Sequence, residues 1–468
     1  MRKLNILVAS SEMTPYAKTG GLGDVLGALP AAMAKRGHRV AVFIPHYGSL
    51  QETPGNLLPL NATIKIPIES QTETAQVAES TDKKTGLRTY LIGNSRYFHR
   101  KGLYGDPFTG EDFPDNDERF VFFCRAVLET ARKINFAPDV VHVHDWQAGL
   151  IAVYLKALYA DDDILGKAKS VLTIHNLAHQ GTFPKERFSV LGLPRDLFYA
   201  TGPFEFYGRV NLLKAAITYA DKITTVSPRY AMEIQTEKFG AGLQGVLKLR
   251  SSDLTGILNG VDYTVWSPSR DKRLPNRYRP ANLSGKRMNK VELLGTAGLP
   301  IRDKTPLIGL ISRLVHQKGM ALIEKAAERL FTMNIQMLVL GLGEQKYQRM
   351  FDDLQARYPD KLRVYLELNE DLAHQIEAAA DMFLMPSLFE PCGLNQLYSL
   401  KYGTIPIVHD VGGLADTITD YDPQTGQGTG FVFHQETPDA LLTTVERAVQ
   451  VFGKKRAWTR IMLSLIHI

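Results

Sequence analysis

Cations, glycines and single acids stand together in a few short stretches of this chain. "LISRLVHQKG" sets Arg313 just past an apolar run and Lys318 five residues later. A rigid guanidinium fork and a flexible ammonium at one strand end suit a diphosphate. "PSLFEPCGLNQLYSLKYG" places Glu390 ahead of Cys392, Gly393 and Leu394, where a helix reads as beginning. Free backbone amides there can receive a phosphate. The Glu390 carboxylate can accept hydrogen bonds from ribose or sugar hydroxyls. An acid near a helix start also stabilises the helix by about 0.3–1 kcal/mol on its own, so Glu390 alone identifies nothing. Cys392 lies where a thiol is acidified, but no histidine base is identifiable for it. It reads as a small packing residue near a ligand.

Near the N-terminus, "KTGGLGDV" brings Lys18, Gly20, Gly21 and Asp24 together. The fingerprint of dinucleotide-binding folds needs G-x-G-x-x-G directly after the first strand and an acid ending the second. Here the apolar run stops near Ala9, the glycines start at Gly20, and "RVAVFIPHYG" holds no acid. A P-loop needs its lysine after the glycines, and Lys18 precedes them. What remains is a loop from Glu12 to Lys18 that delivers Gly20 and Gly21 to a helix N-terminus, with Asp24 favouring the helix start. Such a loop can receive an anion.

"HVHDWQAGL" sets His144, Asp145 and Trp146 at a third strand end, and "TIHNLAHQG" sets His175 and Asn176 at a fourth. These offer polar edges and an aromatic face to a sugar. His142 and His144 alternate on one strand, yet no H-x-x-x-H or C-x-x-C accompanies them, so no metal site is expected. His142 reads as a hydrogen-bonded core residue.

These stretches need strand ends to hold them. "NILVA" (5–9), "RVAVFIP" (39–45), "DVVHVH" (139–144), "SVLTIH" (170–175) and "KITTVS" (222–227) read as buried strands. Segments 24–37 and 119–134 read as helices, the first stopped by Gly37. The pattern restarts with strands at 305–314, 335–343, 362–368, 381–387 and 403–410. Strands alternating with helices predict parallel sheets covered on both faces. The expected fold class is α/β, with two Rossmann-like doubly wound domains, 1–257 and 258–468, facing across a cleft that holds the ligand.

Composition narrows the classes. The chain has 468 residues, enough for two domains, with 44% hydrophobic and 22% charged residues. Its net charge of +6 is spread among acids. The densest basic stretch, Arg270 to Arg287, reads as a solvated linker, so no nucleic-acid partner is expected. No apolar run reaches membrane-span length. "MRKLNILVAS" reads as a first strand rather than a signal peptide, and two distant cysteines fit a reducing compartment. The reading is a cytoplasmic protein.

Taken together, "KTGGLGDV", "HVHDWQAGL", "TIHNLAHQG", "ITTVSPRYAMEI", "GILNGVDYTVWSP", "SRLVHQKG" and "FEPCGLNQLYSL" resemble the bacterial and plant glycogen (starch) synthase family, in its order and spacing. The resemblance runs from about Asn5 to about Val451. It implies the GT-B architecture and transfer of glucose from ADP-glucose to the non-reducing end of an α-1,4-glucan, with retention and without a cofactor. It implies that the first domain serves the acceptor glucan and the second the nucleotide sugar. Arg313 and Lys318 would hold the diphosphate. Glu390 would contact the transferring glucose, with Cys392, Gly393 and Leu394 beside its hydroxyls and the phosphates. Lys18, Gly20, Gly21 and Asp24 would form the loop at the donor's phosphate and glucose. His175 and Asn176 would address the glucose, Asp145 would shape its site, and Asn259 would face the sugar. Glu12 and Trp146 would lie toward the acceptor. His175, Arg313, Lys318 and Glu390 would be the catalytic set.

Three departures from the family pattern stand out. Tyr398 occupies the position eight after Glu390, where many other retaining GT-B enzymes carry a second glutamate. Asn395 stands where many members have threonine. The ending "IMLSLIHI" does not resemble the family's terminal helix that crosses back to the first domain, which leaves a catalytically weakened glucan-binding or regulatory relative as the alternative reading. A plant member would work in a plastid, although no transit peptide is evident. A pyridoxal-phosphate phosphorylase shares the architecture, but no motif here suggests its lysine.

Overall fold

A computed structural model describes residues 2–48, 57–106 and 110–466. The chain forms two compact units, Met1–Gly260 and Val261–Ile468.

In the first unit seven parallel strands lie in the order Leu254–Gly256, Lys222–Thr225, Lys169–Ile174, Val140–His144, Asn5–Ala9, Arg39–Pro45 and Arg88–Gly93. The direction of winding reverses where Asn5–Ala9 meets Val140–His144. Ligands of doubly wound sheets bind outside the carboxyl ends of the strands at such a point. The helices Asn116–Lys133 and Asp145–Ala157 are buried on nearly every face. Phe120, Phe122, Phe123 and Cys124 are wholly enclosed. A helix buried on nearly every face lies between layers, here with even Asn116, Asp117 and Arg119 enclosed.

Beyond Arg88–Gly93 the sheet continues antiparallel through Gln71–Thr81, which pairs with both Ile64–Ile68 and Leu58–Pro59. The sequence reading had no strand there. "QTETAQVAEST" is polar, and only its residues facing the core, such as Ala75 and Val77, are buried apolar ones. The helix expected over 24–37 spans Gly21–Lys35, so the glycine stretch itself opens it, and Gly37 follows with φ +90°.

In the second unit six strands run parallel in the order Leu362–Tyr365, Gln336–Leu340, Leu307–Ile311, Met382–Met385, Ile405–His409 and Phe431–Phe433. Numbered along the chain, that is 3-2-1-4-5-6, the Rossmann order. The reversal falls between Leu307–Ile311 and Met382–Met385. One core contains Ile308, Met320, Ile323, Val339, Phe383, Ile407 and Leu441.

The stretch 270–287, expected as a solvated linker, is instead pinned to the second unit. Asp271, Leu274, Tyr278 and Lys286 are all buried. Asp271 Oδ2 accepts from Tyr402 at 2.5 Å and lies 2.7 Å from His374 Nδ1. The Trp266 ring stacks between His374 (3.6 Å) and Tyr398 (3.8 Å). Lys286 Nζ donates to Thr404 Oγ1 at 2.7 Å, and burial pushes it down to about 7. Charge patterning missed this, because only the fold shows which of the interspersed basic residues face inward. The C-terminal segment is helical over Lys455–Ile466 and buries Trp458, Ile461, Leu465 and Ile466 in the second unit.

Candidate active site

In the second unit, Arg313 and Lys318 follow the strand Leu307–Ile311, and Glu390 follows Met382–Met385. These are the two strands at the reversal. Gly319 decides how closely their loops approach. Its φ is +76°, and a Cβ there would lie 1.9 Å from the Pro386 carbonyl oxygen. Only glycine permits that contact. The loops are laced by Leu388 N–H to Gln317 O at 2.9 Å. Lys318 Nζ reaches Glu390 Oε2 at 2.6 Å, and Ser387 Oγ donates to the same oxygen at 2.9 Å. Glu390 is buried, with Oε1 uncommitted. The Arg313 side chain is exposed and makes no hydrogen bond or ion pair among the described residues.

Gly413 packs against Cys392, since a Cβ there would come within 2.2 Å of the Cys392 carbonyl oxygen. Gly413 N–H donates to Glu390 O at 3.1 Å. The helix Asn395–Tyr402 then starts without a side-chain cap. The amides of Gly393, Leu394 and Asn395 have no acceptor among the described residues. Asn395 Nδ2 donates to Ile311 O at 2.8 Å, tying this helix start to the neighbouring strand end. The arrangement is a set of anion-binding groups, namely an unengaged guanidinium, an ammonium and open helix amides, beside one carboxylate.

In the first unit the loop after Asn5–Ala9 is organised by Glu12. Its Oε2 accepts the Thr19 N–H (2.6 Å) and the Gly20 N–H (3.3 Å), and its Oε1 accepts Thr19 Oγ1 and Tyr104 OH (2.7 Å each). Glu12 is only 3% exposed. It was expected toward the acceptor, but both carboxylate oxygens are spent on holding the glycine loop. Trp146 is likewise no open platform. It is 7% exposed and enclosed by Phe120, Phe183 and Gly181. Lys18 rests on Asp24 at 2.7 Å, and the space over the Gly20 Cα is open. Gly21 begins the helix and is exposed. Asn259 is half-buried near the end of the unit.

At the neighbouring strand end, Asp145 is buried with φ +55°, and its Oδ1 accepts the His175 N–H at 2.7 Å. It thereby fixes the turn that carries His175 and Asn176. Asn176 Oδ1 accepts the Ala178 N–H, closing that turn. His175 Nε2 lies 2.9 Å from His144 Nδ1, and His142 Nε2 lies 2.7 Å from Thr173 Oγ1. Burial drives His175 down to about 3 and His144 well below its ordinary value, so both rings are neutral at pH 7. His144 Nε2 is buried without a partner. Leaving a lone pair unmet there, rather than an N–H, assigns the proton to His144 Nδ1, which donates to His175 Nε2. His175 then keeps its proton on Nδ1 as a donor. Sequence reading named His175, placed His144 at its strand end without a role, and missed Tyr104, Thr19 and Ser387. Only the H-x-H-D spacing pointed at His144.

Burial, opposed by the His175 and Asn176 amides, pushes the Asp145 carboxyl up to about 7. An acid raised in the folded state destabilises it as pH climbs from the unfolded value through the folded one. Asp145→Asn retains an oxygen acceptor and removes the charge. Its melting temperature is expected to match wild type near pH 4 and to exceed it increasingly up to about pH 7. A difference independent of pH would overturn this account of Asp145.

Among the described residues no group of three or more His, Cys, Asp or Glu is arranged for a metal ion, and no helix is long and apolar enough to cross a membrane.

Residues 5–249 match the family model of the starch synthase catalytic domain, and residues 296–459 match that of group 1 glycosyl transferases. A glycogen synthase of Koribacter versatilis is 45% identical over 460 residues, covering 98% of this chain and 93% of the relative. One from Anaeromyxobacter dehalogenans is 44% identical over 456 residues, 97% and 94% of the two chains. The catalytic domain of starch synthase IV from Arabidopsis thaliana, solved bound to ADP and acarbose, superposes with a TM-score of 0.92 at 33% identity, covering 100% of this chain and 96% of that one. A sucrose-phosphate synthase from Thermosynechococcus elongatus shares the fold, with a TM-score of 0.61 at 16% identity. With full-length relatives, both family models and the strand-end groups in agreement, the chain belongs to the glycogen/starch synthase family of glycosyltransferases with the GT-B fold.

Proposed function

We propose that the protein transfers glucose from ADP-glucose to the non-reducing end of an α-1,4-glucan with retention of configuration. The observation that carries this reading is the second-unit cluster, where Lys318 pairs with Glu390 and where Arg313 and the open amides of Gly393, Leu394 and Asn395 follow the same two neighbouring strands. Breaking the sugar–phosphate bond leaves negative charge on the diphosphate. Arg313, Lys318 and the amides stabilise that charge without transferring a proton. These groups are sufficient for the leaving charge, so the reading calls for no cofactor.

Glu390 is paired through Oε2 with Lys318, with Oε1 left to accept sugar hydroxyls. Cys392, Gly393 and Leu394 form the wall beside them. A carboxylate spent in an ion pair is a poor nucleophile, and among the described residues no second carboxylate is paired with it for a double displacement. The acceptor hydroxyl therefore attacks on the face that the diphosphate leaves, and its proton passes to the departing phosphate oxygen. In the first unit, His175 Nδ1–H and Asn176 address the glucose, and Asn259 faces the sugar. Asp145 holds the His175 turn. Lys18, Gly20, Gly21 and Asp24 make an anion-receiving loop, with Lys18 exchanging Asp24 for phosphate. Glu12 and Trp146 serve the acceptor region as supports of the surfaces around them.

The reaction belongs in the cytoplasm. Cys124 and Cys392 are both buried and form no disulfide among the described residues, the state a reducing compartment maintains. The assay offers glycogen with ADP-glucose, UDP-glucose or glucose 1-phosphate. ADP release is the expected result. UDP release alone would correct the donor, phosphate release would indicate a phosphorylase, and no release would overturn the reading.

A further inference from the structure

A hairpin of the first unit breaks its own turn rule. Glu205–Phe206 pairs antiparallel with Arg209–Asn211, with Phe206 opposite Arg209, so Tyr207 and Gly208 form a two-residue loop. Their φ values, +49° and +76°, are those of a type I′ turn. Such turns favour Asn-Gly, because asparagine tolerates the left-handed region that a tyrosine enters at a cost. Tyr207 is nevertheless there, with its residue surface 81% exposed. Its ring contact with Phe206 leaves most of the residue in solvent. Strain held at an exposed side chain points to a use for the side chain.

The ring is supported rather than loose. Gly208 N–H donates to Glu205 Oε1 at 2.8 Å, fixing the loop. Phe206 meets the Tyr207 ring edge-on at 4.7 Å. A Cβ on Gly242 would fall 2.7 Å from Phe206 and 3.4 Å from Tyr207, so both rings rest on that glycine. The hairpin is also continuous with the turn that carries His175. Arg209–Asn211 pairs with Thr182–Pro184, which follows directly from residues 175–181, and Asn211 Nδ2 donates to Gln180 Oε1 at 2.6 Å. Tyr207 stands four positions before Asn211, a reach of at most roughly 13 Å.

We propose that Tyr207 is a stacking platform for an α-glucan chain, binding it several glucose units away from the reacting end. The proposal rests on the glucan reading above. A polymer presenting its non-reducing end for reaction must run on over protein surface, and an aromatic ring with a polar hydroxyl matches the flat face and rim of a glucose unit.

Tyr207→Asn tests this without risk to folding, since asparagine suits the turn better. Its melting temperature is expected to equal or exceed that of wild type. The KM for glycogen should rise by about fivefold to tenfold, the size of one aromatic contact. Values of kcat, and of KM for ADP-glucose and a maltotriose acceptor, should stay as in wild type. Tyr207→Phe should retain most of the glycogen affinity. An unchanged glycogen KM in Tyr207→Asn, with unchanged retardation in glycogen-containing native gels, would overturn the platform while leaving the glucan reading intact. A wild-type protein that neither uses nor binds glycogen would overturn both. Loss of a dimer in Tyr207→Asn by sedimentation, with glycogen KM unchanged, would assign the tyrosine to self-association instead.

Discussion

Arg313→Ala is expected to lower kcat for glucosyl transfer by about 10²–10³-fold and to leave the melting temperature unchanged. The two halves of this result have separate causes. The guanidinium is exposed and unpaired in the described structure, so its removal breaks no intramolecular bond. Substitutions of that kind stay within about 0.5 kcal/mol. Its contribution is confined to the charge that builds on the departing diphosphate, so kcat falls more than the KM for the donor rises. Lys318→Ala should lose a similar factor in rate but also lose stability, because it strands the buried Glu390 carboxylate without its 2.6 Å partner. Comparing the two variants by steady-state kinetics and thermal melting separates catalytic charge from structural charge. Wild-type turnover in Arg313→Ala would remove it from the diphosphate site.

Gly319→Ala carries the second large effect, and here stability leads. A methyl group at this position would meet the Pro386 carbonyl at 1.9 Å. The backbone also sits at φ +76°, which an L-residue adopts only at a cost of roughly 1–2 kcal/mol. Relief requires the loop ending at Lys318 to move away from the loop leading to Glu390. Strain plus loosened packing is expected to destabilise the second unit by about 3 kcal/mol. The rate should fall as the Lys318–Glu390 pair is drawn apart. Urea unfolding and kcat measured on the same preparation check both. Unchanged stability would show that the loops accommodate the methyl group and that their contact does not fix the site.

Much of this site is local in sequence because strand-end chemistry is local. Arg313, Lys318 and Glu390 each follow an apolar run by a few residues, so their place at the carboxyl ends of parallel strands follows from chain order alone. The alternation of strands and helices is written in hydrophobic periodicity for the same reason. Polar strands such as Gln71–Thr81 were invisible because their sheet edge buries few residues. The linker 270–287 was misread because Asp271 is buried against His374 and Tyr402, and Lys286 against Ala378 and Thr404, partners about a hundred residues away in the chain.

The sequence therefore determines the inventory: which anion-binding groups exist, which strand ends carry them, and that two doubly wound units result. It does not determine the direction in which a side chain spends its hydrogen bonds. Glu12 and Trp146 had the right types for a ligand and turned inward, Glu12 to four donors of its own unit and Trp146 to Phe120 and Phe183. His144 was given no role at its strand end and holds the catalytic candidate His175 in one tautomer. A hydrogen bond is decided by atoms a few ångströms apart, and those atoms come from segments whose meeting only the folded chain arranges.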